Sequence, residues 1–102
     1  MFNFIRPLIF KFSPEVAHSL AIKALKLNNI PYSKPKDSHI LEITFCEKKL
    51  SSPIGIAAGF DKNAEVYNPL FNLGFGFVEV GTITPKPQFG NPKPRVFRLE
   101  ED

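Results

Sequence analysis

The chain has 102 residues, 43% of them hydrophobic and 23% charged, with a formal net charge of +3. This balance excludes intrinsic disorder, and the charge excess is too weak to argue for nucleic acid. The longest apolar-plus-glycine run, Ile54 to Phe60, is far short of the roughly 18 residues of a membrane-spanning helix.

The length allows a single domain, and a body of this size buries only about two-thirds of its unfolded surface, so it is marginally stable on its own. The single Cys46 excludes an internal disulfide and suits a reducing compartment. Charge is unevenly spread: residues 1–50 hold eight basic and four acidic side chains, residues 51–102 five and six. Met1 to Phe12, interrupted by Arg6 and Lys11, lacks the unbroken apolar core of a signal peptide.

Residues 1–30 read as two short helices. Phe2, Ile5, Ile9 and Phe12 recur at helical spacing along one face. Ser13-Pro14-Glu15 then opens a second helix: serine accepts from free amides, proline suits the first helical position, and glutamate suits the positive helix start. Glu15, Ser19, Lys23 and Lys26 make a narrow polar stripe, and apolar side chains from Val16 to Leu27 cover the rest. Asn28-Asn29 and Pro31 end the helix. A helix apolar around most of its girth either sits between packing partners or meets a membrane, and the basic excess of residues 1–30 suits an anionic bilayer.

Residues 31–52 form a polar, proline-bearing connector followed by a hairpin. Ile40 to Phe45 alternates as a strand, Cys46-Glu47 turns, and Lys48-Lys49-Leu50 returns.

Residues 53–102 read as α/β. Ile54 to Ala58 has no polar side chain, as expected of a parallel strand covered on both faces. The loop Gly59 to Asn63 follows, then a helix over Ala64 to Leu73 with Gly74 as its cap, then a strand from Phe75 to Gly81. Strand, loop, helix and strand make a βαβ unit of about 30 residues. Pro85, Pro87, Pro92 and Pro94 stiffen the next loop, Arg95 to Leu99 is a third extended run, and Glu100-Glu101-Asp102 is solvated.

Ligands of α/β sheets gather at the carboxyl ends of the strands. Here that edge carries Ala58, Gly59, Phe60, Asp61, Lys62 and Thr82. Small residues let a flat or phosphorylated ligand approach the backbone, Lys62 supplies a cation and Thr82 a hydroxyl. The bland alternative is a small-residue strand end with Asp61 as an ordinary cap and Lys62 in water. His18 within its helix reads as a surface or satisfied core residue. Arg98 among Val96, Phe97 and Leu99 needs an acceptor if it is buried. No paired carboxylates at catalytic spacing, metal-ligand cluster or Ser/His/Asp set stands out.

Pro53 to Glu65 (PIGIAAGFDKNAE), Gly74 to Gln88 (GFGFVEVGTITPKPQ) and Gly90 to Leu99 (GNPKPRVFRL) resemble the quinone-dependent (class 2) dihydroorotate dehydrogenases, as does the helix start Ser13 to His18. The resemblance implies the N-terminal portion of a TIM (β/α)8 barrel, preceded by a two-helix membrane-associating extension. It implies FMN at the strand ends, oxidation of dihydroorotate to orotate, and electron transfer to ubiquinone or menaquinone. Ala58, Gly59, Phe60, Asp61, Lys62 and Thr82 would line the flavin, Lys62 would also meet the substrate, and His18 and Arg98 match positions bordering the quinone tunnel. Peripheral association with the cytoplasmic face of the inner membrane follows from the same resemblance.

Family members run to about 340 residues, so the barrel is expected to be incomplete in this chain. The catalytic base and most substrate contacts are expected in a complementing C-terminal portion. The isolated 102-residue polypeptide is therefore expected to be inactive. The alternative expectation is a non-catalytic, membrane-associating remnant or a decayed gene product.

Overall fold

The computed structural model describes residues 2–27 and 38–99. The helix stop at Asn28-Asn29 and Pro31, most of the connector and Glu100-Glu101-Asp102 lie outside the described residues.

Helix α1 covers Phe2–Ile9 and helix α2 covers Pro14–Lys26. The first helix is shorter than the apolar spacing suggests, because Phe12 falls in the turn that joins the two. Ser13 caps α2 as its position predicts, its hydroxyl accepting from the Val16 amide at 3.4 Å. The apolar girth of α2 is only partly covered. Leu25 is buried, Ala17, Ala21 and Ile22 are half-buried, and Val16, Leu20, Ala24 and Leu27 are exposed.

The hairpin is shorter than expected. Ser38–Leu41 winds as a 3-10 turn, so Ile40 and Leu41 leave the strand. Strand β1 is Ile43–Phe45, and it pairs antiparallel with β2, Lys48–Leu50, in the register Ile43 to Leu50. Cys46 and Glu47 both take positive φ (49° and 63°), the left-handed pair that a two-residue hairpin turn requires.

The βαβ unit is present with clipped elements. Strand β3, Gly55–Ile56, lies parallel to β4, Phe77–Val78, and Gly55 pairs with Phe77. Backbone bonding runs beyond these strands, with Gly76 N–H donating to Ile54 C=O and Glu79 N–H to Ile56 C=O, both at 2.9 Å. Gly76 is buried against the Ser52 carbonyl, where a Cβ has no room. The expected helix from Ala64 begins three residues late, as α3, Tyr67–Asn72. The Asp61 carboxylate holds the Glu65 and Val66 amides at 2.8 and 2.9 Å, and Ala64 sits at φ 56°. The chain therefore makes a tight turn where the helix would have started. Gly74, at φ 104°, follows the helix and donates to Phe71 C=O, as a glycine past a helix end does.

The core lies where α2 meets this unit: Leu25, Val66 and Leu70 are buried, with Ile22, Ile56, Phe60, Phe75 and Val78 packed around them. The double cover expected for the strand at residues 54–58 is absent, since Ile54, Ala57 and Ala58 are exposed. Arg95 to Leu99 forms no regular strand.

Candidate functional site

Past the carboxyl ends of β3 and β4 the two chain segments are stitched together. Gly59 N–H donates to Gly81 C=O and Gly81 N–H donates to Asp61 C=O, each at 3.2 Å. Both glycines take left-handed backbone (φ 102° and 116°), which other residues adopt only under strain. A Cβ on Gly81 would lie 2.9 Å from the Ile83 nitrogen. On Gly59 it would meet no protein atom within 4 Å, so that backbone faces open space.

That space is an open cleft of about 970 Å³, walled by Ala58, Gly59, Lys62, Asn63 and Thr82, and across from them by Phe89, Gly90 and Arg95 of the proline loop. Its lining combines bare backbone, the Lys62 ammonium, the Arg95 guanidinium and the hydroxyls of Thr82 and Thr84. Such a set suits a flat heteroaromatic ligand bearing negative charge: the ring lies against backbone where Cβ atoms are missing, and the cations meet the charge.

Ala58, Gly59, Lys62 and Thr82 are thus brought together at one rim. Phe60 and Asp61 turn the other way. Phe60 joins the core, and Asp61 is 2% exposed, each carboxylate oxygen accepting one of the two amides that shape the turn before α3. The strand end therefore sends Ala58 and Gly59 to the cleft, Phe60 and Asp61 to the scaffold beneath it, and Lys62 and Asn63 back to the cleft.

His18, half-buried on α2, has Nε2 at 2.7 Å from Phe60 C=O and its ring edge-on to the Phe60 ring. A carbonyl only accepts, so His18 carries its proton on Nε2. The imidazole lines a second cleft, of about 280 Å³, shared with Phe60, Lys62 and Lys26. Arg98 lies elsewhere, in a third cleft of about 780 Å³ beside Phe10. There it donates to the carbonyls of Phe12 (2.7 Å), Phe10 (3.3 Å) and Ile9 (3.3 Å), with its guanidinium 4.6 Å from the Phe10 ring centre. Ile9 ends α1, where it also accepts from the Phe12 amide, and Phe10 and Phe12 lie in the turn that follows; a cation is favoured at such a helix end. His18 and Arg98 do not share a cleft.

Sequence reasoning did not single out Asn63, Phe89 or Arg95 as cleft walls. Asn63 follows Lys62 in the same polar loop, a signal that could have served. Arg95 is joined to Glu15, 80 residues away, and no local pattern announces that.

Residues 40–102 match the family model described as dihydroorotate dehydrogenase. The dihydroorotate dehydrogenase (quinone) of Azorhizobium caulinodans is 48% identical over 102 residues, covering the whole chain and 29% of that protein. The protein of the same name from Rhodopseudomonas palustris is 57% identical over 96 residues, 94% of this chain and 26% of its own length. The mitochondrial one of Mus musculus is 54% identical over 89 residues, 87% of this chain and 22% of its own length. The crystal structure of ligand-free DHODH from Eimeria tenella superposes with a TM-score of 0.78 at 50% identity, covering 84% of this chain and 24% of that one. The chain thus spans less than a third of the length of these relatives.

Proposed function

The chain belongs to the dihydroorotate dehydrogenase family, and from that premise we propose that it forms the N-terminal part of a quinone-dependent enzyme that oxidises dihydroorotate to orotate with FMN. Residues 53–102 supply the first β/α units of the (β/α)8 barrel, residues 31–52 the connector and hairpin, and residues 1–30 the helical extension. The observation that carries the reading is the stitched rim: the Gly59–Gly81 and Gly81–Asp61 bonds gather Ala58, Gly59, Lys62 and Thr82 around one cleft at the strand ends.

FMN, when bound, supplies acceptance of an electron pair from dihydroorotate and its release to ubiquinone or menaquinone. The chain's own residues prepare the place. Ala58 and Gly59 would keep bulky side chains away from the ring, and the Thr82 hydroxyl would offer a hydrogen-bond partner at the same rim. The Lys62 ammonium attracts the carboxylate of the substrate and stabilises negative charge that develops during reduction. Phe60 and Asp61 would act through the scaffold rather than on the flavin, holding the backbone that presents Lys62. His18 and Arg98 border the quinone side, His18 through the carbonyl of Phe60 and Arg98 through the end of α1.

Peripheral membrane association at the cytoplasmic face belongs to the same proposal. It is supported by the exposed Phe2, Phe4, Ile5 and Leu8 of α1, close to Arg6 and Lys11. Among the described residues no helix is long and apolar enough to cross a membrane. The same exposed apolar helix supports a second reading, a non-catalytic segment that only binds membranes. Liposome binding by residues 1–35, with no activity in any completed barrel, selects that one.

The deciding experiment joins residues 1–102 to the remaining length of the Rhodopseudomonas palustris relative and assays dihydroorotate-dependent reduction of a quinone-linked dye. Turnover is expected, with Lys62→Met lowering it about 100-fold or more, the scale on which a lost charge-stabilising group acts. A folded, flavin-loaded chimera without turnover, or one indifferent to Lys62→Met, overturns the reading.

A further inference from the structure

The first and third clefts share a wall, and an ion pair builds it. Glu15, in the first turn of α2, lines the third cleft, and Arg95, from the proline loop, lines the first. Arg95 Nε donates to Glu15 Oε1 at 3.0 Å, while its Nη1 donates to Phe89 C=O at 2.8 Å. Lys93 Nζ stands 3.5 Å from the same glutamate oxygen. The guanidinium also fills the space beside Gly90, where a Cβ would lie 2.8 Å from Nη1. One planar fork is therefore committed in two directions, outward to the helix and inward to the lip of the cleft. Of the two side chains, Glu15 is 21% and Arg95 33% exposed.

We propose that Glu15 and Arg95 are a positioning pair: Glu15 orients the guanidinium, which holds the Phe89–Gly90 lip in place and separates the flavin cleft from the apolar cleft beside α1. This rests on the flavin reading of the first cleft and adds to it a link between that cleft and the helical extension. The fork is the essential part. An arginine can meet the carboxylate and the carbonyl at once, whereas a lysine ammonium at the end of a flexible stem can satisfy one but not hold the plane of both.

The test uses the chimera described above, with two readouts besides turnover: the rate of flavin release, and hydrogen exchange at the backbone amides of Gln88, Phe89 and Gly90. Glu15→Gln and Arg95→Gln are each expected to speed flavin release about three- to ten-fold, the scale of one lost partly exposed hydrogen bond, and to speed exchange at the lip. The double variant is expected to do no more than the stronger single one, because both act through one contact. Arg95→Lys, which keeps the charge, is expected to restore neither readout. Unchanged release and exchange in both single variants overturn the proposal, and so does wild-type behaviour of Arg95→Lys. A chimera that fails to bind flavin defeats the functional reading instead, and exchange at the lip still reports on the pair.

Discussion

Asp61 shows how a residue next to a ligand cleft serves it without facing it. Its carboxylate is buried and both oxygens are taken by backbone amides, those of Glu65 and Val66. Its own carbonyl accepts from Gly81. The side chain thus shapes the turn before α3 while the main chain joins the two strand ends, and Lys62 is delivered to the rim between these anchors. Removing the carboxylate strands two amides, one of them fully buried, and each unpaired buried donor costs about 1–3 kcal/mol. In the completed enzyme Asp61→Ala should therefore lower stability by about 2–5 kcal/mol, read from the urea midpoint at constant slope. Asp61→Asn keeps one acceptor oxygen and should lose roughly half as much. An Asp61→Ala protein unfolding at the wild-type urea concentration would show that the amides find water instead.

At the scale of elements, Arg98 fastens α1. Every described residue of that helix is exposed, so little apolar contact within the chain holds it, and the three carbonyls at its end bind one guanidinium. Arg98→Leu should release the helix while leaving the Leu25, Val66 and Leu70 core intact. Limited trypsin digestion of the completed enzyme should then cut after Lys11 several-fold faster than in the parent, and an equal cutting rate would deny the fastening. The same contrast between local and distant bonding explains what could be read from the sequence. Ser13 with Pro14, Cys46 with Glu47, and Gly74 act within a few residues of themselves, and each marks its helix end or turn correctly. Helix α3 starts later than its apolar run predicts because Asp61, standing before that run, captures the amides that a helix from Ala64 would use. The strands are shorter than their composition predicts for a related reason. Ile54 and Ala57 have the composition of a buried strand, but length is set by where a partner backbone runs. The position of Ala58, Gly59, Lys62 and Thr82 at the strand ends is legible in the sequence, and they line one cleft there. The anchoring of His18 to Phe60 and of Arg98 to Phe12 spans 42 and 86 residues, beyond any local pattern.

For the whole molecule the decisive quantity is uncovered apolar surface. Among the described residues, large apolar side chains beside the parallel pair and the proline loop stay uncovered: Ile83 is 77%, Phe89 92%, Phe97 72% and Leu99 81% exposed. With Leu25, Val66 and Leu70 as the buried hydrophobic core among the described residues, too little area leaves water to offset the backbone entropy of ordering, which costs about 1–2 kcal/mol per residue. The two short strands also present free edges, and the cleft beyond their ends is open. The 102-residue polypeptide on its own should accordingly unfold without a cooperative transition, bind the dye ANS, and retain helical far-ultraviolet dichroism from α2. FMN should bind it no better than weakly, since Ala58, Gly59, Lys62 and Thr82 cannot be held rigid by so small a core. In the chimera the same residues gain cover, and a single sharp thermal transition that rises with added FMN is expected. Calorimetry on both proteins checks this, and a sharp, reversible transition in the isolated chain would mean that its own residues suffice to fix the rim.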